Sequence, residues 1–151
     1  MEQLGHGFYW NDMTVGRRWK TIGRSIFEAD VVTFIGVTGM QELLFNNLEY
    51  IEHESATGKR IAPGALIFSV AEGLVMQSTL QGTGIAFLGM DFDIKGPVVV
   101  GDTIHVEIEV VEQRAASKGN RGLVRTRNEV KNQRGEAVLV YSPLRLMKGR
   151  D

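Results

Sequence analysis

The hydrophobic and polar positions along the chain change their spacing from one region to the next. Residues 1–14 are aromatic and polar, with Phe8, Tyr9 and Trp10 together, and read as an arm packed on the domain. From Val15 to Ile26 the β-type residues Trp19, Thr21, Ile22 and Ile26 predict a strand. Phe27-Glu28-Ala29-Asp30 then opens a short helix with Val31, Phe34 and Ile35 at i, i+3 and i+4, which Gly36 and Gly39 are expected to break. A second helix is predicted from Met40 to His53. Met40, Leu43, Leu44, Leu48 and Ile51 share one face of it, and Asn46, Glu49 and Glu52 fall mainly on the other. After a polar loop, Glu54 to Pro63, the stretch Gly64–Leu80 is apolar nearly all round, as in a helix enclosed by other structure.

Beyond Gly82 and Gly84 the period changes to two. Ala86, Leu88, Met90, Phe92 and Ile94 are expected on one side of a strand that ends at Gly96-Pro97. Ile104, Val106, Ile108 and Val110 alternate with His105, Glu107 and Glu109, the pattern of a half-buried strand. Leu123–Lys131 reads as another strand, Asn132-Gln133-Arg134-Gly135 as a hairpin turn, and Ala137–Met147 as the last strand. Pro143 cannot donate to a ladder, so an edge or a bulge is expected there. The order predicts a single α+β domain over residues 1–151, with an antiparallel sheet curved around one long helix. A small curved sheet leaves an edge and a helix flank to cover, so a homodimer or higher homo-oligomer is expected.

Composition narrows the function classes. Seventeen basic and 18 acidic residues give a net charge of −1, without the basic excess of a nucleic-acid binder. The longest apolar stretch, Ala65–Leu80, is broken by Ser69, Glu72, Gly73 and Gln77, so no membrane span is expected. There is no cysteine, hence no disulfide framework or thiol nucleophile, and with no basic-then-apolar leader the cytoplasm is the expected location. The three histidines are far apart and no phosphate-cradling motif occurs, so neither a metal nor a cofactor is expected.

Four stretches resemble one family. They are Gly23–Phe34 continued by Val37-Thr38-Gly39; Lys59-Arg60-Ile61-Ala62-Pro63-Gly64; Pro97-Val98-Val99-Val100-Gly101-Asp102-Thr103; and Asn132–Glu136. In order and spacing they are similar to MaoC-like dehydratase domains, the (R)-specific enoyl-CoA hydratase group. The resemblance implies a hot dog fold, assembly as dimers or fused double copies, and an acyl-CoA thioester as substrate or ligand. It also implies substrate contacts from Gly39, Gln41, Ile61, Ala62, Pro63 and Gly64. The helix opening at Gly64 would offer backbone N–H groups to a thioester carbonyl.

One stretch departs from the family. Its hydratases carry Gly-Asp-x-Asn-Pro-x-His, whose aspartate and histidine hold a water and exchange protons with the substrate. Here the stretch reads Gly39-Met40-Gln41-Glu42-Leu43-Leu44-Phe45, so Met40 and Phe45 stand in the aspartate and histidine slots. Neither side chain transfers a proton. Glu42-Leu43 replaces Asn-Pro, and without the proline a continuous helix from Met40 to His53 is expected. Other residues are candidates for the chemistry. Glu42 is either a solvated helix residue or a pocket carboxylate. His53 either favours the C-terminal dipole of its helix or acts in catalysis. Glu72, in the most buried helix, either pairs with an arginine, faces solvent at an opening, or is a pocket base, with Ser69 and Gln77 as weaker versions. Acyl-CoA thioesterases of the same fold place a carboxylate or amide on or beside this helix. That leaves a thioesterase using Glu72 or Glu42 as an alternative, beside a non-catalytic acyl-thioester binder or partner subunit. Lys59, Arg60, Lys118, Arg121 and Arg125 are either scattered surface cations or contacts for the coenzyme A phosphates.

Overall fold

The elements of the computed structural model, which describes residues 1–151, follow most of this pattern. The arm forms a 3-10 turn at Trp10–Asp12. The stretch Val15–Ile26 yields two short strands, β1 (Arg18–Lys20) and β2 (Arg24–Ser25), not one. The break is chemical. Thr21 Oγ1 accepts the N–H of Val106 at 3.0 Å, where a strand carbonyl would stand, and donates to the carbonyl of Ile22.

Helix α1 spans Glu28–Thr38. Asp30 accepts the backbone N–H of Phe27 at 2.8 Å and is gripped by Arg24, which fixes the start. Gly36 does not break the helix; Gly39 ends it, with φ of 74° and its N–H on the carbonyl of Ile35. Such a left-handed residue is where glycine costs least. The expected helix from Met40 to His53 is not continuous. It is split into α2 (Leu43–Asn46) and α3 (Leu48–Glu54), and residues 40–42 are outside any helix. Asn47 makes the break, its backbone extended and its side chain accepting the N–H of Tyr50. Local capping by asparagine competes with helix continuation and wins here. The predicted apolar face therefore does not form: Met40, Leu43 and Leu48 are exposed, while Phe45 and Ile51 are buried.

Helix α4 (Gly64–Thr79) is the long buried helix, with Leu66, Ile67, Ala71, Leu74 and Val75 in the core. Four long strands follow: β3 (Gly84–Ile94), β4 (Thr103–Ala115), β5 (Arg121–Lys131) and β6 (Ala137–Lys148). The antiparallel sheet runs β1-β4-β5-β6-β3, and β2 also pairs with β4. In β4, Ile104, Val106, Ile108 and Val110 are buried while His105, Glu107 and Glu109 are only partly so. That is the predicted alternation. The outer face carries ion pairs such as Lys131 with Glu107 at 2.8 Å, which add little stability at such exposure. Ile104, Val106, Ile108, Val130, Leu139 and Tyr141 form the inner face of the sheet and share one core with α4. The arm packs as expected. Met13 is buried with Val110, Val124 and Met147, and Phe8 stacks on Trp19 at 5.1 Å under Arg17.

Two strand expectations are corrected. Pro143 lies on β6, inside the sheet between β5 and β3, not at an edge or a bulge. It stands opposite Met90 of β3, and no β5 residue pairs with Ser142 or Pro143. The Arg125 guanidinium donates to the Ser142 carbonyl at 2.9 Å, so this gap in the ladder is bridged by a side chain. In β3, register shifts at Gly84/Ala86 and Phe87/Gly89 move Ala86 and Leu88 off the face of Met90, Phe92 and Ile94. Phe87, opposite Arg145, joins that face instead, because each bulge inserts one residue. β3 is the outer strand of the sheet, and Ile85, Phe87, Leu88, Met90, Phe92 and Ile94 are all exposed. No helix is long and apolar enough to cross a membrane.

Candidate active site

A cavity of about 390 Å³ opens where α4 begins. Ile61, Ala62 and Gly64 form one wall, the Ile94–Val98 turn another, and Val138 and Leu139 of β6 a third, with Phe45 and Ile67 also lining it. The wall before α4 is fixed by backbone bonds: Ala62 N–H donates to the Val98 carbonyl and Val100 N–H to that of Arg60. Asp102 braces the next turn, accepting the N–H of Val99 at 3.0 Å and the amide of Gln133 at 2.7 Å. Burial opposes ionisation of Asp102. These two hydrogen bonds and the Arg134 charge outweigh it and hold the carboxyl below its usual range.

Pro63 precedes the first turn of α4 and takes the N–H groups of both Leu66 and Ile67 on its carbonyl. The amides of Gly64 and Ala65 stand ahead of them at the positive end of the helix, and Gly64 lines the cavity. A Cβ on Gly64 would lie 2.6 Å from Ile94 Cδ1, so glycine here lets α4 approach β3 closely. The lining is apolar except for Lys95, whose ammonium is paired with Asp93. No carboxylate and no imidazole lines the cavity.

The structure separates the remaining candidates. Phe45, which the family resemblance sets in the histidine slot, is buried and faces the cavity, whereas Met40, which it sets in the aspartate slot, is exposed and does not line it. Gly39 ends α1. The Gln41 amide donates to the Ile35 carbonyl and accepts from Asn46, pinning the loop between α1 and α2. Glu42 precedes α2 with an exposed side chain that caps nothing. His53 lies in the last turn of α3, 64% exposed, near Glu49 at 3.5 Å. Of the possible phosphate contacts, Arg60 pairs with Glu28 and Arg125 with Glu112, while Lys118 and Arg121 lie in and after the β4–β5 turn.

Glu72 is buried midway along α4 and outside this cavity. Its Oε1 accepts the Tyr141 hydroxyl at 2.8 Å and pairs with the Arg145 guanidinium. Burial, with the Glu72 charge beside it, pushes the Tyr141 phenol well above its ordinary value. The sequence pattern did not single out Tyr141 and Arg145. They share the inward parity of Leu139 and Met147, and an arginine at an inward position of a buried strand demands a counter-ion. Ile67, Ile94, Lys95, Val98 and Leu139 were also missed as cavity residues, because only the closure of the sheet around α4 brings them to Gly64.

Comparison with known proteins agrees with this architecture. The family model for the MaoC like domain matches residues 11–133. A 3-hydroxybutyryl-CoA dehydratase from Methylorubrum extorquens is 30% identical over 107 residues, covering 69% of this chain and 64% of its own length. The chain thus spans under two thirds of that relative. A monoamine oxidase regulatory protein from Archaeoglobus fulgidus superposes with a TM-score of 0.85 at 31% identity, over 97% of both chains. The R-hydratase PhaJ1 from Pseudomonas aeruginosa gives 0.78 at 26% identity, over 96% of this chain and 88% of its own. A Mycobacterium tuberculosis protein with a double hotdog fold gives 0.81 at 20% identity, with 99% of this chain covering 46% of that one. The sheet wrapped around α4 is the hot dog fold, and the chain belongs to the MaoC-like dehydratase domain family.

Proposed function

We propose that this protein binds an acyl-CoA thioester in the cavity at the start of α4, and that its own residues do not carry the usual water addition or removal. One observation supports the reading most directly. The cavity pairs an apolar lining with the amide end of α4, yet holds no carboxylate or imidazole to move a proton. The apolar walls suit an acyl group, and the N–H groups of Gly64 and Ala65 suit the thioester oxygen. Phe45 fills the place where the family's histidine would act. The relative from Methylorubrum extorquens is named for a four-carbon acyl-CoA. In this reading no cofactor is needed, and the absence of cysteine favours the cytoplasm.

The thioesterase alternative is disfavoured by the place of Glu72, which lies outside the cavity with Oε1 committed to Tyr141 and Arg145. A second copy of the chain suits the exposed apolar edge at β3. Its length relation to the double hotdog relative also supports pairing of two such units. A homodimer supplies the same Met40 and Phe45 from both copies, so it does not restore the missing pair.

The test is incubation of the pure protein with saturated, 2-enoyl and 3-hydroxyacyl-CoA thioesters, read by mass spectrometry. Retained, unchanged ligand is expected. Gain or loss of water on the acyl chain would refute the non-catalytic part, and release of free coenzyme A would move the case to Glu72 and Glu42.

A further inference from the structure

The cavity at the start of α4 is followed, along the same crevice between α4 and β3, by a second hollow of about 430 Å³. It is lined by Phe68, Glu72, Met76, Phe87 and Met90. The two share no lining residue. We infer that Phe68, Phe92 and Tyr141 form a partition between them that limits the acyl chain the protein accepts. This rests on the acyl-thioester reading above.

Strand register places the wall. Ile94 and Leu139, which line the first cavity, are cross-strand partners, and the next inward pair on the same face is Phe92 with Tyr141. Phe68 follows Gly64 by one turn of α4 and meets both rings edge to face. Its centroid lies 5.7 Å from Phe92 and 5.2 Å from Tyr141, at 81° and 87°. The Tyr141 ring is held by its hydroxyl bond to Glu72, which Arg145 also grips, and Arg145 in turn lies over Phe87 at 5.1 Å. A swing of Tyr141 would leave its hydroxyl without an acceptor and weaken the Glu72 site, so the wall is fixed at that end.

The wall sets a length. From Gly64 to Phe68 is one helical turn, and from Ile94 to Phe92 two strand residues, each a depth of about 6 Å. A bond of about 1.5 Å advances an extended, zigzag alkyl chain by about 1.3 Å, so that depth takes a chain of about four to five carbons. Beyond the wall, Phe68 to Met76 spans about 12 Å of helix, room for about nine more carbons.

Phe92 is 40% exposed in a single copy, on the β3 edge proposed above to meet a second copy, so the oligomeric state of each variant is matched to that of the intact protein before titration. The test compares the intact protein with Phe92→Ala and Phe92→Val by calorimetric titration with saturated four-, six-, ten- and twelve-carbon acyl-CoA. Phe92→Val keeps a strand-favouring residue if the alanine variant folds poorly. The intact protein is expected to bind ten- and twelve-carbon chains at least about tenfold more weakly than four-carbon ones. The variants should recover that loss. The same length profile in all three proteins, or full affinity of the intact protein for twelve carbons, would overturn the partition alone. Binding of no acyl-CoA by any form would overturn the acyl-thioester reading, and the partition with it.

Discussion

Replacing Glu72 with leucine separates a structural carboxylate from a catalytic one. The Glu72 and Arg145 side chains are only 10% and 8% exposed, so solvent screens their interaction little. Glu72→Leu would leave the Arg145 guanidinium buried without a counter-ion and the Tyr141 hydroxyl without its acceptor. Removing one partner of a buried pair costs about 3–5 kcal/mol, because the charge left behind is uncompensated. For a domain of this size each kcal/mol shifts Tm by about 2–4 °C, so a fall of roughly 6–20 °C is expected. Glu72→Leu combined with Arg145→Leu removes both charges. It should recover most of that loss, since a buried pair is often replaceable by apolar residues. The assay is urea unfolding of the intact protein, each single variant and the double, giving a coupling energy from the four midpoints. A Glu72→Leu variant that loses under about 1 kcal/mol, or a double variant no more stable than either single one, would refute the structural account. Unchanged stability with loss of coenzyme A release would instead restore Glu72 as a catalytic base.

Other expectations follow from the same geometry. Gly39→Ala forces a Cβ onto a residue with φ of 74° and should cost about 1 kcal/mol, read as a lowered urea midpoint. Gly64→Ala should push the Ile94 side chain, 2.6 Å from the new Cβ, and weaken acyl-CoA binding by about tenfold, with Tm changed only slightly. Asp102→Asn removes a buried carboxylate whose pKa is lowered by its hydrogen bonds and Arg134. Because the folded pKa lies below the unfolded one, Asp102 stabilises fully above about pH 4. That contribution is lost as pH falls through the folded pKa. The variant should lose about 1–3 kcal/mol at pH 7 and show a flatter decline below about pH 4, measured as urea midpoints across pH. An unchanged acid limb would show that Asp102 does not contribute to it.

Periodicity determined the elements whose neighbours are the whole core. α4 is apolar on most sides, although Ala65 and Met76 stay exposed, and β4 alternates as far as Val110, so the burial of their inward residues follows from hydrophobicity. The order of elements and the four family-like stretches pointed to one sheet around one helix, and residues 40 and 45 were legible as methionine and phenylalanine, side chains that transfer no proton. Tertiary structure decided what depended on competition between local signals or on distant partners. Asn47 split the second helix because its side chain caps Tyr50, a choice the apolar spacing does not encode. Pro143 sits inside the sheet where β5–β6 pairing is interrupted, and Arg125 from the neighbouring strand donates to the Ser142 carbonyl across that gap. Glu72 by itself was ambiguous. Its partners, Tyr141 and Arg145, lie about 70 residues away, and their inward parity matters only once β6 lies beneath α4. Spacing within one element is a local property and can be read from the chain. The company a buried charge keeps is set by long-range closure of the sheet, and only the folded molecule specifies it.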